Sequence, residues 1–176
     1  MQNPTPQDLI AYHGSHAITG SSPEGFHTIE SIFKQCYSFL DQHPREGIIV
    51  QIKHDWGNEN DAVQVQFALK LQKFFFFFED AAASRYWLLE STLPSLKALR
   101  NKIQLVRRYP LGPDIRDMGI NAFAGWERNS SFTLTPKPSL SIHVQDNCNF
   151  FPTIKKSIIN KKWDFVKQEL EKVKTS

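Results

Sequence analysis

The stretch at residues 47–55, Gly-Ile-Ile-Val-Gln-Ile-Lys-His-Asp, constrains the fold most, because a β-branched apolar run stops abruptly at three ionisable side chains. Ile48, Ile49, Val50 and Ile52 form the near-continuous hydrophobic run expected of a parallel strand covered on both faces, and the run is too short for a helix. Three further stretches follow the same plan: residues 9–13 end at His13, residues 103–108 at Arg107 and Arg108, and residues 140–146 at Asp146. Parallel α/β folds bind ligands at the carboxyl ends of their strands, so His13, Lys53, Arg108 and Asp146 become candidates for one site. Adjacent strand residues face opposite sides, so Arg107 and Arg108 do not share a surface.

Between these runs the helical period takes over. Thr28 is placed to cap a helix in which Ile29, Ile32, Phe33, Cys36, Tyr37, Phe39 and Leu40 recur at helical spacing until His43-Pro44. Flanked by residues 9–13 and 47–55, it makes a βαβ unit, which needs a parallel sheet and a right-handed crossover. Residues 14–25, rich in Gly, Ser and Pro, read as a long strand-to-helix loop. Residues 62–73 read as a second helix with Val63, Phe67 and Leu71 on one face, and residues 81–89 as a further amphipathic segment. The consecutive phenylalanines Phe74 to Phe78 have two readings, a membrane-inserting wedge or a helix end buried in the core, and burial is the commoner fate of such a run. Residues 111–138 read as an irregular, functional loop in which Trp126 either covers a site or packs. Residues 155–173 are a strongly periodic helix through Ile158, Ile159, Phe165, Val166, Leu170 and Val173.

Composition sets the outer limits. At 176 residues and 40% hydrophobic content, one domain with a real core over residues 1–176 is expected. The net charge of +3 is mild, and the densest basic stretch, residues 155–167, is interleaved with apolar residues at helical spacing, which argues against nucleic acid as a partner. Cys36 and Cys148 offer no metal-ligand spacing and at most one disulfide. No apolar run approaches the roughly 20 residues needed to span a bilayer, and no charged segment followed by an apolar one marks a signal peptide, so localisation stays open.

Several motifs in order carry a resemblance. Tyr12-His13-Gly14, then Phe39-Leu40-Asp41-Gln42-His43-Pro44-Arg45-Glu46 leading into the run that ends at Lys53, resembles the X region of phosphatidylinositol-specific phospholipase C in its bacterial and fungal form. Tyr86 to Glu90 with Pro94, Lys102 to Tyr109, Gly119-Ile120-Asn121-Ala122 with Trp126, and Val144-Gln145-Asp146 continue in the order seen in fungal phospholipase C-like phosphodiesterases. The resemblance implies an α/β fold, an incomplete TIM-like (β/α) barrel with its site at the carboxyl ends of the strands. It also implies a phosphoric diester hydrolase or lyase that cleaves phosphatidylinositol-type glycerophospholipids to diacylglycerol and a cyclic inositol phosphate. By this resemblance His13 matches the family's second histidine, the acid that protonates the departing glycerol oxygen, while Lys53, Arg108 and Asp146 match positions that hold the inositol hydroxyls.

The departures carry equal weight. The family's first histidine, in a Gly-Thr-His-Asp stretch, and the arginine on the following strand have no counterpart; Gly14-Ser15-His16 resembles that stretch only as far as Ala17, which stands where the acid belongs. The chain ends after about the sixth strand, before the late catalytic aspartate. Asn101 replaces a glycine usual ahead of the Lys-Ile strand, and Cys148 replaces an aromatic that stacks on inositol. Calcium-dependent animal relatives place a carboxylate where Lys53 stands, and a cation there repels calcium, so no metal or cofactor is expected. Two functions therefore stand: the phosphodiesterase, or an inactive fragment or pseudoenzyme that retains inositol-phosphate or membrane-surface binding. The expected partners are phosphatidylinositol or a related phospholipid and, peripherally, the membrane surface. Barrel edges left unpaired lead to an expectation of self-association.

Overall fold

The computed structural model describes residues 9–13, 16–20, 25–54, 61–76, 84–147 and 155–174. They fall into two compact units, Met1–Asn121 and Ala122–Ser176.

The first unit opens on a small antiparallel ribbon. Strand β1 (Tyr12–His13) pairs with β2 (His16–Ala17), Tyr12 opposite Ala17 and His13 opposite His16. The backbone then returns: Thr19 bridges Phe26, Ile10 bridges Thr28, and the Ala11 N–H donates to the His27 carbonyl at 2.8 Å. Residues 9–13 were expected as a parallel strand followed by a loop, and both expectations are corrected. The apolar run finds its partners within the next fifteen or so residues, where loop closure is cheap, and local pairing of that kind is antiparallel.

Helix α1 (Ile29–Gln42) begins as expected at Thr28, whose Oγ1 accepts from the Ser31 N–H at 3.1 Å while Ser31 Oγ donates to the Thr28 carbonyl at 2.8 Å. The cap satisfies one of the amides that a helix start leaves open. The helix buries Phe33 and Leu40 and stops at His43.

Beyond it come β3 (Ile48–Lys53), α2 (Asp61–Phe76), β4 (Trp87–Leu88), the single turn α3 (Leu96–Leu99), β5 (Ile103–Arg108) and β6 (Ile120–Asn121). The four strands form one parallel sheet whose axis is β5. Along one side of it β3 runs in full register, from Ile48 opposite Ile103 to Lys53 opposite Arg108; along the other, β4 and β6 sit end to end, at Ile103–Gln104 and Val106–Arg107. The central strand is thus β5. Ile103, Gln104 and Leu105 are fully enclosed, whereas on β3 Ile52 is buried but Ile49 is 57% exposed. The expectation that the 48–53 run is covered on both faces is corrected: it alternates, as an edge strand with one solvated face does. Trp87 and Leu88, expected within an amphipathic segment, form a strand instead.

Packed against the sheet, α2 presents Ala68, Leu71 and Phe75, with Val63 off that face. Phe33 meets Phe74 edge-on at 5.6 Å between ring centroids and Trp87 at 4.9 Å, and Phe75 meets Trp87 at 4.6 Å. For Phe74, Phe75 and Phe76 the burial reading holds; Phe77 and Phe78 lie outside the described residues.

Two backbone details hold the start of the sheet. A side chain at Gly47 would lie 2.4 Å from Leu99 Cγ, so only glycine lets α3 come this close. Asn101 holds φ +53°, the left-handed region that glycine and asparagine enter most readily, so asparagine serves here where the resemblance implies glycine.

The second unit is a hairpin with a helix on it. Strand β7 (Ser131–Lys137) pairs antiparallel with β8 (Leu140–Gln145), with a register shift between Leu134 and Lys137 where Pro136 breaks the ladder. Helix α4 (Lys155–Lys174) packs on β8, and Phe132 and Leu134 are buried. The expectation of an irregular loop over residues 111–138 is corrected, since both β6 and β7 fall inside it.

Candidate functional site

The parallel register of β3 and β5 brings two cations together. Lys53 and Arg108 are register partners at the carboxyl ends of adjacent strands. Partners in register project from the same face, roughly 5 Å apart at the backbone. Both side chains are half-buried.

The preceding residue has a different task. Arg107 is buried; its Nε donates to the Met118 carbonyl at 3.0 Å, one terminal nitrogen to the Tyr109 carbonyl at 3.2 Å, and the other to Asp117 Oδ1 at 3.0 Å. It ties the segment that follows β5 back onto the strand end. Of the arginine pair, then, Arg107 is the structural anchor and Arg108 stands on the face of Lys53.

Next to Lys53 a cavity of about 530 Å³ runs along the free side of β3. Residues 50–54 form one wall and residues 9–12 the other, with Phe33 and Phe67 among the apolar residues at its base. Among the described residues no strand pairs with this edge of β3. At the polar end His54 lies with its ring 4.6 Å from that of Phe67. The cavity therefore combines apolar walls with a lysine and a histidine, the composition of a site that orients a polar group beside an apolar one. The sequence offered His54, with His16, as a substitute for the missing base; its place in the wall depends on α2, which carries Phe67.

His13 lies immediately after the wall residue Tyr12, and the antiparallel register sets it opposite His16. Two histidines at one level of a ribbon are legible only once the pairing is known.

Asp146 belongs to the second unit. It follows β8, an antiparallel hairpin strand and not the parallel strand expected; its Oδ2 accepts from Trp126 Nε1 at 3.0 Å, and its N–H donates to the Ser130 carbonyl at 2.9 Å. Trp126 also meets Phe132 edge-on at 5.4 Å, so it packs and bonds within the hairpin. Of the four strand ends, the structure brings Lys53 and Arg108 together in one parallel sheet and puts His13 in the ribbon of the same unit.

Three solved structures of phosphatidylinositol-specific phospholipase C from Staphylococcus aureus match over 97% of the chain: one concerned with modulation of its membrane binding, one a double mutant, and one carrying pentafluorophenylalanine. TM-scores are 0.68, 0.67 and 0.69, each at 20% sequence identity. The fold is similar to that of phosphatidylinositol-specific phospholipase C. The chain spans about half the length of these phospholipases, 52%, 51% and 52%. No protein-family model matches the sequence, and no curated protein matches it significantly.

Proposed function

We propose that the chain carries part of a phosphoric diester hydrolase or lyase site of the phosphatidylinositol-specific phospholipase C type, on an incomplete TIM-like (β/α) barrel. The observation that carries this reading is the Lys53–Arg108 register at the carboxyl ends of β3 and β5, with a largely apolar cavity alongside. Two cations at that spacing suit a phosphoryl group or the hydroxyls of a polyol, and the apolar walls suit an acyl-bearing glycerol. In the reaction the inositol 2-hydroxyl attacks phosphorus and gives its proton to a base. The bond from phosphorus to the glycerol oxygen breaks, and an acid returns a proton to that oxygen. His13 is assigned the acid role. His16, opposite it in the ribbon, and His54, in the cavity wall, are the groups to take the first proton.

The test is release of inositol phosphate from phosphatidylinositol vesicles in the presence of chelator, with His13→Ala and Lys53→Met/Arg108→Met alongside. Release by the parent protein that drops by two orders of magnitude or so in His13→Ala is the expected result for loss of a general acid. No release by a folded sample refutes the catalytic reading. In that case, saturable binding of free inositol phosphate that the double cation variant abolishes would establish the binding remnant in its place.

A further inference from the structure

Helix α4 carries a feature that the phosphodiester site does not use. Ile159 is 68% exposed, Trp163 55% and Leu170 54%. At about 100° per residue these three positions fall within about 40° of one another on the helix, so they form one apolar stripe. The packed side of the helix runs along Phe165 and the buried Glu169, and the half-buried Val166 lies where that side meets the stripe. Lys162 borders the stripe on one flank, its Nζ reaching the Asn147 carbonyl at 2.6 Å, and Lys167 borders it on the other, in a solvent-exposed pair with Asp164 at 2.9 Å.

Charge distribution identifies the occupant. The helix holds seven lysines against three carboxylates, while the chain as a whole is only +3, so the remainder holds more carboxylates than lysines and arginines. The net positive charge of the protein is thus carried by this helix, with Lys162 and Lys167 the described lysines that flank the stripe. A protein-binding face of ordinary composition has no need of that concentration. A tryptophan among aliphatic residues, bordered by lysines, is the arrangement that lies in the interface of an anionic bilayer, with the rings at headgroup depth and the ammonium groups at the phosphates. Among the described residues no helix is long and apolar enough to cross a membrane, so the contact is made from the surface. We propose that the exposed stripe of α4 docks the protein on anionic lipid surfaces. This surface is distinct from the strand-end cations, and it requires no turnover.

The experiment is co-sedimentation of the full chain with phosphatidylcholine vesicles, with and without phosphatidylglycerol, in the absence of phosphatidylinositol. Such vesicles contain no phosphatidylinositol to cleave, so failure here and failure of the hydrolysis assay are read separately. Binding is expected only with phosphatidylglycerol and is expected to weaken as salt rises. Ile159→Ser/Trp163→Ser is expected to weaken it about tenfold or more, since burial of those two side chains in the interface is lost. Leu96→Ser, at a residue 85% exposed in the first unit, is expected to leave it unchanged. Both substituted side chains are already in solvent, so circular dichroism should show the fold retained. The proposal is overturned if the parent protein ignores phosphatidylglycerol vesicles, or if the double variant binds them as well as the parent. It is also overturned if the parent is a dimer that the double variant converts to monomer without any vesicle binding, because a second copy then covers the stripe.

Discussion

Arg107 and Arg108 are adjacent and chemically identical, yet the structure assigns them opposite duties, and replacing each by methionine separates the two. The Arg107 side chain is 6% exposed and donates to two buried carbonyls, those of Met118 and Tyr109. A hydrogen bond from a charged donor is worth about 1.5–3 kcal/mol, and the carbonyls would be left without that donor. The ion pair with Asp117 adds little, because that carboxylate is 70% exposed and screened by solvent. Removing a buried guanidinium recovers part of its desolvation cost, which brings the net loss to about 3 kcal/mol for Arg107→Met. For a chain of this size that lowers the melting temperature by roughly 6–12 °C. Urea denaturation followed by tryptophan fluorescence measures it, with Trp87 in the same core. Arg108→Met is expected to cost less stability than Arg107→Met, since its side chain is half-buried and that of Arg107 is buried. It is expected to lower affinity for inositol phosphate about tenfold or more, the worth of one charged contact. A loss below about 1 kcal/mol in Arg107→Met, or equal losses in both variants, would refute the division of labour.

Three more perturbations probe the frame. Phe75, 2% exposed between Phe33 and Trp87, should cost about 3–5 kcal/mol as Phe75→Ala in thermal unfolding, and an unchanged midpoint would return the phenylalanine run to the membrane-wedge reading. Gly119 holds φ +66°, and a Cβ there would lie 2.7 Å from the Leu105 carbonyl oxygen, so Gly119→Ala should cost about 2–3 kcal/mol; a neutral result would mean that β6 is not held against β5 as described. Burial pushes the Tyr37 phenol up to about 12, with the bond from Trp87 Nε1 opposing it. The folded state thus keeps a proton that the unfolded chain gives up near pH 10, so stability present below about pH 10 is lost as pH rises toward about 12. Tyr37→Phe should flatten that alkaline slope in denaturation midpoints measured from pH 9 upward, and an unaltered slope would contradict the assignment.

Apolar patterning reported what is buried, and it reported little about direction. The 29–42 helix with its Thr28 cap and the 155–174 helix emerge nearly as expected, because a cap and a 3.6-residue period are local signals. The 48–53 and 103–108 runs were legible as parallel strands, but not as neighbours, since the expected βαβ unit set the first beside residues 9–13. Residues 9–13 and 140–145 carry the same kind of apolar run, yet both pair antiparallel, since the run specifies burial while the choice of partner depends on chain elsewhere. Strand β7 escaped because Ser, Thr, Pro and Lys dilute its alternation, and only Phe132 and Leu134 mark the inner face. The cavity was illegible for a related reason: His54 and Phe67 come from a strand end and a helix, and their proximity is purely tertiary.

The position of β5 at the centre of the sheet bears on how a cation pair at Lys53 and Arg108 would work. In the proposed site, an anion between Lys53 and Arg108 would be held from two neighbouring strands. The two residues are not equally fixed. Arg108 sits on a strand paired on both sides and fixed just before its end by the Arg107 bonds, whereas Lys53 ends a strand with one solvated face and a cavity at its edge. A site precise enough to orient a phosphoryl group needs at least one cation on a rigid element, and in the proposed site β5 would supply it. In the proposed site the lysine, on its flexible stem beside the cavity, would be the cation that adjusts to the ligand, and Arg108 on β5 would set the geometry at phosphorus.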